Sequence, residues 1–152
     1  MPSYPFMQVD AFTNYPLGGN PCAVLFETDE MSDDTQLAIA REMNLSETAF
    51  VKQSKVADFG VRYFTPAVEI PLAGHPTIAT VYALVESGRL KLTGDHTTIQ
   101  LELKVGPIEV EIFSHAGKIE RIVMSQKKPV FLATYNPGEI LPVFGLETED
   151  AM

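Results

Sequence analysis

Between Pro76 and Gly88 the sequence sets out a helix of about three turns with apolar residues on nearly every side: Ile78, Ala79, Val81, Tyr82, Ala83, Leu84 and Val85. Proline suits a first helical turn, where its missing N–H has no intrahelical partner, and glycine suits the end. A helix lying on a protein surface keeps its apolar residues to a one-sided stripe, and this one does not. It has to be wrapped, and the strand-like segments on either side of it are the material for the wrapping.

Met7, Val9 and Ala11 alternate with Gln8, Asp10 and Phe12, and an apolar run from Cys22 to Phe26 follows a loop with two glycines. Ala49 to Val51 forms a further strand. Phe59, Val61 and Tyr63 then fall on one face of another, with Gly60, Arg62 and Phe64 on the other. The spans 97–103, 108–113 and 119–125 read as a meander, broken at Gly106-Pro107 and Ala116-Gly117. Ser32 before Asp33, Asp34 and Thr35 starts a helix over 33–44, with acids near the positive end of its dipole. The expected fold class is α+β: a mixed, strongly twisted sheet or partial barrel curled around one central buried helix. Residues 1–128 read as one lobe, and 129–152, with Pro129, Pro137 and Pro142 and an acidic end, as a connector toward a second.

Composition excludes several function classes. Twenty acidic against eleven basic side chains give a formal charge of −9, and Lys127-Lys128 is the one adjacent basic pair, so no stripe serves nucleic acid or an anionic membrane. No apolar run reaches the roughly 18 residues of a membrane span. The first residues lack a secretory pattern, which makes the cytoplasm the expected compartment. The single cysteine, Cys22, begins an apolar strand and reads as a small buried hydrophobe rather than a nucleophile. His75, His96 and His115 share no metal-ligand spacing, so nothing calls for a metal or other cofactor.

Chemistry gathers around the loop from Arg62 to Thr80. Gly74 allows close backbone approach to a ligand, and a helix beginning at Pro76 leaves N–H groups on His75 and Thr77 pointing outward, a corner that fits a carboxylate. His75 can donate to the same anion or pass a proton. Read alone, Gly-His-Pro is equally an ordinary helix start with a capping histidine. Glu47 lies between the first helix and a strand, where partial burial raises a carboxyl toward neutrality and suits it to proton transfer at carbon; it also reads as a solvated strand-end acid. Asn20, in Gly18-Gly19-Asn20-Pro21, either faces a ligand or fills a tight turn.

Three blocks together carry a resemblance: Val9-Asp-Ala-Phe-Thr with Gly19-Asn-Pro-Cys-Ala-Val, then Leu45-Ser-Glu-Thr-Ala-Phe-Val, then Arg62-Tyr-Phe-Thr-Pro through Gly74-His-Pro-Thr. In order and spacing they resemble the PhzF-like phenazine-biosynthesis family. The resemblance implies the fold of diaminopimelate epimerase, with two lobes that each curl a sheet around a helix and a site in the cleft between them. It implies cofactor-independent isomerisation of a small cyclic or amino-acid-like carboxylate, as in the isomerisation of trans-2,3-dihydro-3-hydroxyanthranilate. Glu47 matches the family's acid–base residue, and Gly74 and His75 match its carboxylate corner. The related epimerases place a cysteine at each helix start, and His75 here disfavours their two-thiol mechanism.

Family members continue into a second lobe bearing a Glu-Asp-Pro-Ala-Thr-Gly-Ser-like motif, which this sequence lacks. The expectation is therefore an isomerase lobe that completes its site as a homodimer or with a second-lobe protein. A catalytically inactive binding or remnant domain is one alternative. An epimerase or racemase acting through Glu47 and His75 is the other.

Overall fold

The computed structural model describes residues 3–126 and 128–150. Met1, Pro2, Ala151 and Met152, at the ends of the two expected segments, and Lys127, half of the basic pair, lie outside the described residues. The order of elements is β1 Phe6–Ala11, β2 Asn20–Leu25, α1 Asp33–Met43, β3 Glu47–Lys52, β4 Phe59–Phe64, β5 Glu69–Ile70, α2 Gly74–Glu86, β6 His96–Leu103, β7 Gly106–His115, β8 Lys118–Met124 and the short α3 Pro137–Ile140.

One mixed sheet runs β1-β2-β3-β4-β6-β7-β8, with β5 paired to β4 alone. It curls around α2, which packs against β1, β2, β3 and β8. Alternation decides what meets what. Val9, Cys22, Val24, Ala49, Val51, Val61 and Tyr63 point inward onto Ala79, Val81, Ala83 and Leu84 of α2. The outward set, Ala23, Leu25, Phe50 and Phe64, is covered by α1 through Ala40, with Leu37 and Met43 beside it. The expected curled α+β lobe around a buried helix is what forms.

Both helices end as the sequence dictates. The Ser32 side chain accepts from the Thr35 N–H, and Asn44 closes α1 in the left-handed region at φ 51°. Gly88, at φ +72°, follows the cap of α2. The wrapping of α2 is incomplete on one side, where Tyr82 is exposed between β1 and β8, strands that do not pair with each other among the described residues.

Two local expectations need correcting. α2 starts at Gly74, two residues before Pro76, with Ala73 as its cap. Asn20 belongs to a strand and not to the turn: it pairs with Ala11 at the start of β2. The left-handed positions of that loop are Phe12 at φ 62° and Leu17 at φ 64°. Beyond β8, residues 128–150 add α3 and two short 3-10 turns and contribute no buried residue among those described.

Candidate active site

Glu47 opens β3 just after the left-handed Asn44 that ends α1. It shares the inward parity of Ala49 and Val51, so its side chain faces α2 rather than solvent. His75, second residue of α2, comes to meet it: Nε2 lies 3.4 Å from Glu47 Oε2. The pair is close enough for charge attraction but is not aligned as a hydrogen bond. Both atoms are buried, and neither has a hydrogen-bond partner among the described residues. Buried polar atoms left in this state each cost about 1–3 kcal/mol, so such a pair asks for a third group to complete it.

The earlier start of α2 changes which amides are free. Gly74, His75 and Pro76 fill the first three helical positions, and Pro76 has no N–H. The uncommitted donors are therefore on Gly74 and His75, while Thr77, now fourth, lies within the helical ladder. No acidic residue in the first turn of α2 offsets the dipole. A Cβ placed on Gly74 would meet nothing within 4 Å, so the space beside this backbone is open.

Asn20 is exposed, on the inward parity of Cys22, and Cys22 is the register partner of Glu47. Asn20 therefore stands at the same end and on the same face of the sheet as Glu47. The loop from Phe12 to Gly19 leaves this end and exposes Phe12, Tyr15 and Leu17. It is held by the Leu17 N–H donating to Asp10 Oδ2 at 2.8 Å. Cys22 is sealed in the core, and burial pushes its thiol up to about 12. His96 and His115 lie on the surface of β6 and β7, away from the pair, and His96 contacts Glu111.

One inward contact has no signal in the sequence. Tyr63 is fully buried with its phenol 2.9 Å from Thr77 Oγ1. Its alternation marks it as inward, but only the placement of α2 shows what it touches. A groove of about 630 Å3 opens elsewhere, between β1 and β8 over Ile78 and Tyr82, and contains none of Glu47, Gly74 or His75. Gln36, Thr48 and Thr80 also bury a side-chain oxygen without a partner, so the site is marked by the closeness of two such atoms of acid–base type, Glu47 Oε2 and His75 Nε2, rather than by concavity.

A mixed sheet curled around one buried helix is the architecture of one lobe of the epimerase-like α+β class. The hydroxyproline epimerase of Agrobacterium vitis has this fold, with a TM-score of 0.60 at 15% identity over 78% of this chain and 40% of that one. Residues 9–140 match the family model described as phenazine biosynthesis-like protein, and the chain belongs to that PhzC-PhzF family. It is 36% identical over 143 residues to the trans-2,3-dihydro-3-hydroxyanthranilate isomerase of Pseudomonas aeruginosa, covering 93% of this chain and 49% of that protein. The crystal structure of the Bacillus anthracis phenazine biosynthesis protein of the PhzF family superposes with a TM-score of 0.80 at 35% identity, over 95% of this chain and 48% of that one. The chain thus spans about half the length of the relatives it matches.

Proposed function

We propose that this chain supplies one face of a cofactor-independent isomerase, with Glu47 moving a proton to and from carbon on a small cyclic or amino-acid-like carboxylate. The observation that carries this reading is the pair of buried, uncommitted atoms, Glu47 Oε2 and His75 Nε2, 3.4 Å apart beside the open first turn of α2. The substrate carboxylate binds at the Gly74 and His75 amides, where the helix dipole favours an anion. Glu47, held partly out of water, is then placed to take a proton from one carbon and return it to another. His75 holds the carboxylate and orients Glu47. Asn20 borders the same space and contributes a further polar contact to the ligand.

A site built on one lobe leaves the opposite side of the substrate bare. A facing lobe completes it, whichever chain supplies that lobe. The relatives named as isomerases, twice the length of this chain, support that reading.

Deuterium wash-in from heavy water into trans-2,3-dihydro-3-hydroxyanthranilate, followed by mass spectrometry together with the mass of the protein in solution, tests it. Exchange by the wild type that falls at least ~100-fold in Glu47→Gln is the expected result. His75→Ala weakens substrate binding more than it slows exchange at saturation. Absence of exchange in every oligomeric state would sink the proposal.

A further inference from the structure

The start of α2, which carries the carboxylate corner, has no side-chain cap: Ala73 occupies that position with extended backbone and offers only its carbonyl. The first turn is held from inside the core instead. Thr77 Oγ1 donates to Ala73 O at 2.7 Å, which uses the one hydroxyl proton it has. The Tyr63 phenol lies 2.9 Å from that same Thr77 oxygen, so Tyr63 is the donor and Thr77 the acceptor. Tyr63, Thr77 and Ala73 are all buried, where a hydrogen bond is strong and its loss is felt.

The two bonds form a directed line from sheet to helix. Tyr63 on β4 is the register partner of Ala49 on β3, and Ala49 is two residues beyond Glu47 on the same inward face. Ala73, at the far end of the line, immediately precedes Gly74 and His75. Apolar contacts from Val61, Val81 and Leu84 keep α2 inside the curl but do not fix how far it slides or turns. The Tyr63–Thr77–Ala73 line is directional, and it ends where alignment matters.

We infer that Tyr63 is a positioning residue for the Glu47–His75 pair: through Thr77, its phenol sets where the first turn of α2 sits against β3. This rests on the acid–base reading above for its functional meaning, but not for its test. The line touches neither Glu47 nor His75 directly, so its effect is on their spacing and on the aim of the Gly74 and His75 amides.

Nuclear magnetic resonance on the isotope-labelled full chain tests the inference in the wild type and in Tyr63→Phe, Thr77→Val and Thr77→Ser. The readouts are the cross-relaxation between the His75 ring and the Glu47 side chain, and exchange of the Thr77 amide. Tyr63→Phe and Thr77→Val are expected to stay folded, to lose most of that cross-relaxation, and to speed the exchange roughly tenfold, the scale of one buried hydrogen bond. Thr77→Ser, which keeps the hydroxyl, is expected to match the wild type. A folded Tyr63→Phe or Thr77→Val with wild-type cross-relaxation overturns the inference. If Tyr63→Phe does not fold, Thr77→Val decides alone, because it keeps the tyrosine ring and removes the link. Failure of deuterium exchange in the wild type would sink the acid–base reading and leave this result standing.

Discussion

Cys22 and Glu47 are register partners across the parallel pair β2–β3, and they share an inward face with opposite fates. The carboxylate ends beside His75 at the open end of the curl, whereas the thiol is sealed below it. Burial pushes the Cys22 thiol up to about 12; a backbone hydrogen bond from Ala49 opposes this, and the Glu47 charge adds to it. At pH 8 the native protein holds essentially no thiolate. An aromatic disulfide reagent is expected to label Cys22 only at the rate of unfolding, and to label it at once in denaturant. Rapid labelling of the native chain would contradict the sealed position.

Gly74 and Gly19 should respond to alanine in opposite ways. A Cβ on Gly74 enters open space, so Gly74→Ala is expected to leave thermal stability unchanged or raise it by up to ~1 kcal/mol. The same methyl occupies the space assigned to the substrate carboxylate, so binding of anthranilate, measured by calorimetry, is expected to weaken in this stable variant.

At Gly19 a Cβ would run into the carbonyl oxygen of Ala11, across the base of the loop, and neither backbone can yield cheaply. Gly19→Ala is expected to cost about 1–3 kcal/mol in chemical denaturation. Wild-type stability in this variant would mean the loop is not held as described.

Glu69 anchors the loop that leads into α2, accepting from Arg62 Nε and Lys104 Nζ, each at 2.8 Å. The Arg62 hydrogen bond is the chief reason its carboxyl is held below the ordinary 4.5, with Lys104 assisting and partial burial opposing. The folded state therefore binds this proton less readily than the unfolded chain. The resulting stability is present above pH 4.5 and is lost as pH falls through the lower, folded value. Glu69→Gln is expected to cost roughly 0.5–1 kcal/mol at pH 7 and to flatten the acid limb of the stability curve. A limb of unchanged steepness would assign the acid sensitivity to other groups.

The elements legible in the sequence are those whose signals are local. Ser32 and the spacing of Leu37, Ala40 and Met43 place α1 to within a residue, and the alternation through Phe59–Phe64 separates the two faces of β4 correctly. The start of α2 at Gly74 is not legible, because nothing local marks it. Ala73 carries no capping side chain, and the bonds that hold it come from Thr77 one turn ahead and Tyr63 on another element. Gly-Gly-Asn-Pro has turn chemistry, which leaves a turn open for Asn20, yet pairing with Ala11 draws it into β2. The approach of His75 to Glu47 depends on how α2 sits within the curl, which no spacing between positions 47 and 75 encodes. Their joint presence was legible only through the family's three blocks.

Among the described residues the curl stops before β1 meets β8, leaving two strands with unpaired backbone on the outer side. Another extended chain could zip onto either margin, and the side chains there discourage it. β8 carries Lys118, Glu120 and Arg121, and β1 carries Asp10, already engaged with the Leu17 amide. Any added strand would have to strip water from these charges before gaining a ladder of hydrogen bonds. The effect is strongest at β8, whose three charges make its margin a poor template for another strand.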